Sequence, residues 1–91
     1  MLTIEELERQ SESLLRLSRD AIGAAIRLHS QSTAVTDYGL EAAVPHEYKL
    51  EIINEGARLW KLGDEAYDLY KKLDAAWYRT WVELRAARQA S

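Results

Sequence analysis

Five aromatic side chains in the C-terminal half, Trp60, Tyr67, Tyr70, Trp77 and Trp81, recur at helical spacing and constrain the fold more than any other feature. At 100° per residue they fall inside an arc of roughly 100° on one helix face. Ile53 extends this stripe backward and Leu84 extends it forward. Asn54, Arg58, Lys61, Glu65, Asp68, Lys72, Arg79 and Glu83 fall on the opposite face. An apolar stripe backed by charge is the pattern of a helix buried along one side. The spacing predicts a long helix over residues 45–89.

Pro45, the only proline, stands at the start of that pattern. It disfavours helix at Val44 and suits the first helical position of a new segment. Inside the segment, Gly63-Asp64 has the form of a helix stop followed by an N-cap, which would divide it and give a three-helix bundle. The stripe keeps its phase through the glycine, however, and Lys61 and Glu65 span it at i,i+4. A continuous helix is the better reading, and the break at Gly63-Asp64 is its alternative. Gly56 and Gly63 lie on the stripe side, where they mark points for close helix approach.

The N-terminal segment reads as a helix from residue 4 to 29. Thr3 and Glu6 form a capping box, and Glu5, Glu6 and Glu8 suit the positive end of the helix dipole. Its apolar face is Ile4, Leu7, Leu14, Leu17, Ala21, Ile22, Ala25 and Leu28. Glu5–Arg9 and Glu12–Arg16 are acid-before-base pairs at i,i+4 on the outer face. The small residues of Ala21-Ile22-Gly23-Ala24-Ala25 predict a tight crossing.

Residues 30–44 read as a connecting loop. Ser30-Gln31-Ser32-Thr33 is polar, Asp37-Tyr38-Gly39 has turn composition, and Leu40 to Val44 has room for a short helical turn. So long a connection is unusual between antiparallel helices. Val35, Tyr38, Leu40 and Val44 are the residues that would pack it onto the helices.

The expected architecture is all-α: one domain over residues 1–91, a helical hairpin with a long C-terminal helix. Roughly 44 residues of helix reach about 66 Å, against about 39 Å for a first helix of about 26 residues. The C-terminal turns would then overhang, leaving Trp77, Trp81 and Leu84 uncovered. A homodimer whose hairpins form a four-helix bundle is the simplest cover. The expected partner interface comprises Tyr70, Trp77, Tyr78, Trp81, Leu84, Arg85 and Arg88. Trp and Tyr supply every aromatic, Phe being absent, and both suit surfaces that are apolar at one end and wet at the other.

Composition excludes several classes. The formal net charge of −3 provides no basic field for nucleic acid, and Arg79, Arg85 and Arg88 near Trp81 are the only basic candidates. With four glycines and one proline the chain lacks the turns of an all-β fold. No stretch approaches the ~18 apolar residues of a membrane span. Cysteine is absent and the first residues lack the pattern of a Sec-type signal peptide, so the expected compartment is cytoplasmic. His29, read as the end of the first helix, and His46, in the first turn of the second, have no metal-ligand spacing. No catalytic residue and no cofactor are expected.

Two partial resemblances remain. Glu65 and Asp68 form ExxD, which resembles the second metal motif of the all-α nucleotide pyrophosphohydrolases of the MazG type and would imply magnesium binding. The upstream EExxE of that family is missing, with Glu51, Asn54, Glu55 and Arg58 standing near its place. In size, hairpin form and the YxxxD of Tyr70 and Asp74, the chain also resembles the WXG100 class of secreted helical hairpins. That class places its Trp-x-Gly in the turn, whereas Trp60-Lys61-Leu62-Gly63 has different spacing and falls within a helical stretch. The leading expectation is a non-enzymatic protein-interaction module.

Overall fold

The computed structural model describes residues 1–41 and 43–91. Two helices, α1 (Ile4–Glu41) and α2 (His46–Ala90), form an antiparallel hairpin. The molecule is a rod with extents of 69 × 14 × 13 Å. At 1.5 Å per residue, the 45 residues of α2 account for almost all of that length. The hairpin with a long second helix is as expected, and α2 runs unbroken through Gly63. The three-helix alternative falls.

The N-terminal cap forms as its sequence dictates. Thr3 Oγ1 accepts from the Glu6 amide at 3.1 Å, and the Glu6 carboxylate accepts from the Thr3 amide at 3.4 Å and its hydroxyl at 3.0 Å. At the other turn Pro45 is the cap rather than the first helical residue, with φ −54° and ψ 146°. Its carbonyl accepts from the Tyr48 and Lys49 amides.

The expected loop over residues 30–44 is a correction. α1 continues for three further turns beyond His29, to Glu41, and Gly39 takes no positive φ. Ala42, within the helical turn expected over Leu40 to Val44, lies outside the described residues. The reason for the longer helix lies in the contact between the helices. Along α1 one set of buried or partly covered positions is Ile4, Leu7, Ser11, Leu14, Ser18, Ala21, Ala25, Leu28, Ser32, Val35 and Gly39, and Glu8, Leu15, Ile22, Gly23, Ala24, His29 and Thr36 flank it, also partly covered. The spacing of the first set alternates strictly between three and four residues. In α2 the same alternation runs through Ile52, Gly56, Leu59, Gly63, Ala66, Tyr70, Leu73, Trp77, Thr80, Leu84 and Ala87. That is the seven-residue repeat of a coiled coil. Ser32, Val35 and Gly39 therefore belong to the α1 seam, and the packing of the last turns outweighs their loop-like composition.

Half of the seam positions are small residues, and at the glycines the two backbones approach closely. A Cβ on Gly56 would collide with Thr36 Oγ1, and one on Gly63 would collide with the His29 ring. A Cβ on Gly39 would lie 2.8 Å from Ile52 Cγ2. The expected close approach at Gly56 and Gly63 is present, and Ala21 and Ala25 are buried where a tight crossing was expected. The polar seam residues find partners in the helices. Ser32, buried, donates its hydroxyl to the Gly56 carbonyl, and Thr80 donates to the Ala76 carbonyl at 3.0 Å.

The longer α1 removes the expected overhang. Leu84 is 4% exposed, within the hairpin, and Glu8 of α1 reaches Arg88 at 2.9 Å. Trp77 also lies on the seam and is partly covered. Leu17, assigned to the buried face of the first helix, is instead exposed.

Candidate interaction surface

The aromatic stripe divides along its length into two parallel rows. Tyr70, Trp77 and Leu84, seven residues apart, are seam residues partly or fully covered by α1. Ile53, Trp60, Tyr67 and Trp81 each follow a seam position by one residue and stand on its edge. Trp60 is 47% exposed, Tyr67 44% and Trp81 37%. Trp60 and Tyr67, expected in the seam, are therefore edge residues. In α1 the corresponding edge positions are Glu8, Leu15, Ile22, His29 and Thr36. Contacts across the hairpin join the two rows: Glu8 meets Arg88, and the His29 ring stacks on Trp60 at a centroid distance of 4.0 Å. The rows form one continuous flank of the rod.

His29 is thus a mid-helix residue facing α2, which corrects its placement at a helix end. Its ring covers Gly63, stacks on the Trp60 indole, and brings Nε2 within 3.1 Å of Asp64 Oδ1. The absent side chain at Gly63 makes room for that imidazole. His46 opens α2 and is exposed.

At the far end of the flank Trp81 lies in a local cluster. Tyr78 stacks beside it with ring centroids 6.1 Å apart, and the Arg85 guanidinium sits 5.5 Å from its ring centre. Both contacts are local, at i,i+3 and i,i+4 along α2, where helix side chains are neighbours. Trp81, Leu84 and Arg88 also border a shallow pocket with Glu8, Ser11 and Glu12. Of the seven expected interface residues, Tyr78, Trp81 and Arg85 are exposed together. Leu84 belongs to the hairpin itself, Tyr70 and Trp77 are partly enclosed, and Arg88 is tied to Glu8. At the opposite end, Ile53, Ala57 and Trp60 border a second shallow pocket with Ser32, Thr33, Thr36 and Asp37.

The other flank has apolar members as well, including Leu17, Tyr38, Tyr48, Leu62 and Leu69. Gln10, Gln31, Glu55 and Glu83 interrupt it. Glu55 forms a two-point contact with Arg58, its Oε2 accepting from Nε at 2.9 Å. The hydrogen bond from Arg58 holds the Glu55 carboxyl below its ordinary value, against an opposing effect of desolvation and with a lesser contribution from the Arg58 charge.

The ExxD carboxylates lie on the outer surface of α2. Asp68 Oδ1 is 3.5 Å from Lys71 Nζ, and Lys71 also lies 5.1 Å from the Tyr67 ring centre. Among the described residues no group of three or more His, Cys, Asp and Glu side chains is arranged to hold a metal ion. Trp60 and Gly63 sit in mid-helix opposite His29 and are remote from the turn at Pro45. No described helix is long and apolar enough to cross a membrane.

The seven-residue seam is the one feature of this surface that reading the stripe alone does not resolve. Counting three and four alternately from Leu84 back to Ile52 would have separated Tyr70 and Trp77 from Trp60, Tyr67 and Trp81. No protein-family model, curated protein or solved structure matches the chain.

Proposed function

We propose that this chain is a non-enzymatic protein-interaction module, serving as an adaptor, inhibitor or regulator and binding through the Trp60–Tyr67–Trp81 flank. One observation carries the reading. Three large aromatics, Trp60, Tyr67 and Trp81, are aligned along a single edge and 37–47% exposed, beside a seam in which small residues alternate with large ones. A row of exposed aromatics on a small protein, broken here only by Asp74 between Tyr67 and Trp81, is characteristic of an association surface. Aromatic and arginine side chains are also the groups that dominate interface energetics, and Tyr78, Trp81 and Arg85 present them together.

The hairpin supports the same reading from the side of stability. Its buried apolar residues are Leu7, Ala21, Ala25 and Leu84. No large side chain among the described residues is completely enclosed. Two long helices joined along a thin seam gain much by covering a second face.

Trp81→Ala tests this directly, because the indole stands on the edge of the seam, with Tyr78 and Arg85 of its own helix beside it and Glu8, Ser11 and Glu12 of α1 bordering the same pocket. Association measured by sedimentation should weaken at least about 10-fold, corresponding to more than about 1 kcal/mol. Helicity by circular dichroism should be retained. Lost helicity with unchanged association would make Trp81 a plain structural residue.

A further inference from the structure

Resting on that reading of the flank, we infer that its occupant is a second copy of this chain, packed antiparallel about a two-fold axis that passes beside Ile22. Area is the first argument. One flank of a rod 69 Å long and 13 Å across has an outline of roughly 900 Å², room enough for an interface that buries the ~800 Å² of accessible surface per partner typical of stable complexes. The flank runs the length of the rod, with Glu8, Asp74 and Arg88 among its members, so a second rod can lie along it.

The order of side chains is the second argument. A two-fold axis perpendicular to the rod reverses each row onto itself, and residue i meets j while j meets i. In α2 the row reads Ile53, Trp60, Tyr67, Asp74, Trp81, Arg88, so its ends, Ile53 and the Glu8-paired Arg88, also meet on reversal. Reversed about its midpoint, Trp60 faces Trp81 of the other copy and Tyr67 faces Asp74. In α1 the row is centred on Ile22, which faces itself.

The two midpoints coincide in the folded hairpin. Glu8 lies opposite Arg88 and Ser32 opposite Gly56, which sets Ile22 level with Tyr70, between Tyr67 and Asp74. A single axis therefore serves both helices. It also accounts for Asp74, the acid that interrupts the aromatic row and takes part in none of the ion pairs among the described residues. Facing Tyr67 of the other copy, its carboxylate accepts from a phenol instead of being pressed against apolar surface. With the axis parallel to the rod, α1 of one copy would lie on α2 of the other, and Asp74 would fall between Leu15 and Ile22.

The chain contains no cysteine, so single spin labels can be placed cleanly. Arg9→Cys and Asp20→Cys, both on exposed surface, report the axial arrangement by pulsed dipolar spectroscopy. In the antiparallel pair the two Arg9 labels are separated along the rod by roughly 39 Å and the two Asp20 labels by roughly 6 Å. In a parallel pair neither site has axial separation. The expected result is a dimer by sedimentation, a much longer distance at Arg9 than at Asp20, and dissociation by Trp81→Ala.

Equal distances at the two sites, in a dimer that Trp81→Ala still dissociates, overturn the antiparallel pairing and leave the interaction reading standing. A monomeric chain that captures another protein only when Trp81 is intact overturns self-association alone. A chain that is monomeric and captures nothing, or a dimer indifferent to Trp81→Ala, overturns both.

Discussion

The imidazole of His29 lies flat against the indole of Trp60, with ring centroids 4.0 Å apart and planes inclined by 23°. This stack bridges the two helices at the point where Gly63 leaves a gap. It couples a seam requirement, the missing side chain, to the exposed aromatic row that forms the candidate surface. The packing of the hairpin therefore helps set the orientation of the indole at that surface.

Gly63→Ala should destabilise the hairpin by about 1–3 kcal/mol, the usual cost of overpacking, because the new methyl overlaps the His29 ring. Gly23→Ala is the control. A Cβ there meets only Arg27 Nη1 at 3.4 Å, so the helix propensity of alanine should stabilise by about 0.5–1 kcal/mol. Thermal melts of the two variants should move in opposite directions. Adding His29→Ala to Gly63→Ala should recover part of the loss, since the two sites share one contact.

Ser32→Ala should cost about 1 kcal/mol in chemical denaturation. Its buried hydroxyl donates to the Gly56 carbonyl across the seam, and methyl replacement removes that bond while preserving the close fit. Ser32→Leu should cost more, about 1–3 kcal/mol, because the backbones are too close to admit the side chain. A cost for Ser32→Leu no greater than that for Ser32→Ala would mean that the seam is looser than the contacts at Gly56 require.

The Glu55 carboxyl should titrate below its ordinary value of 4.5 in an NMR pH series. The Arg58 guanidinium donates to the ionised form, so the folded-state pKa is the lower one. The associated stabilisation is present above the unfolded-state pKa and is lost as pH falls through the folded-state value. Arg58→Ala should return the Glu55 titration upward. The same substitution should leave the melting temperature nearly unchanged, because the pair is exposed to solvent.

Much of the fold was legible without coordinates. Thr3 and Glu6 cap a helix because their side chains satisfy amides that every helix start leaves unpaired. Pro45 marks the chain reversal because it cannot continue a preceding helix. The phase of Ile53, Trp60, Tyr67 and Trp77 through Gly63 indicated the continuous α2, since a reversal would have broken it. The polar run from Ser30 to Thr33 was misleading for a physical reason. Serine and threonine resemble loop residues in composition, yet within a helix their hydroxyls are satisfied by nearby carbonyls, as Thr33 is by His29 at 3.1 Å.

The sequence by itself determined two amphipathic helices, their caps and the reversal between them, because those depend on local periodicity and on hydrogen bonds within a few residues. Only the tertiary structure decided which aromatics are enclosed and which are displayed. An arc of 100° on one helix is wider than the strip its neighbour can cover. The close approach allowed by Gly56 and Gly63 narrows that strip to the three-and-four spacing. Tyr70 and Trp77 consequently face α1, and Trp60, Tyr67 and Trp81 remain along the edge.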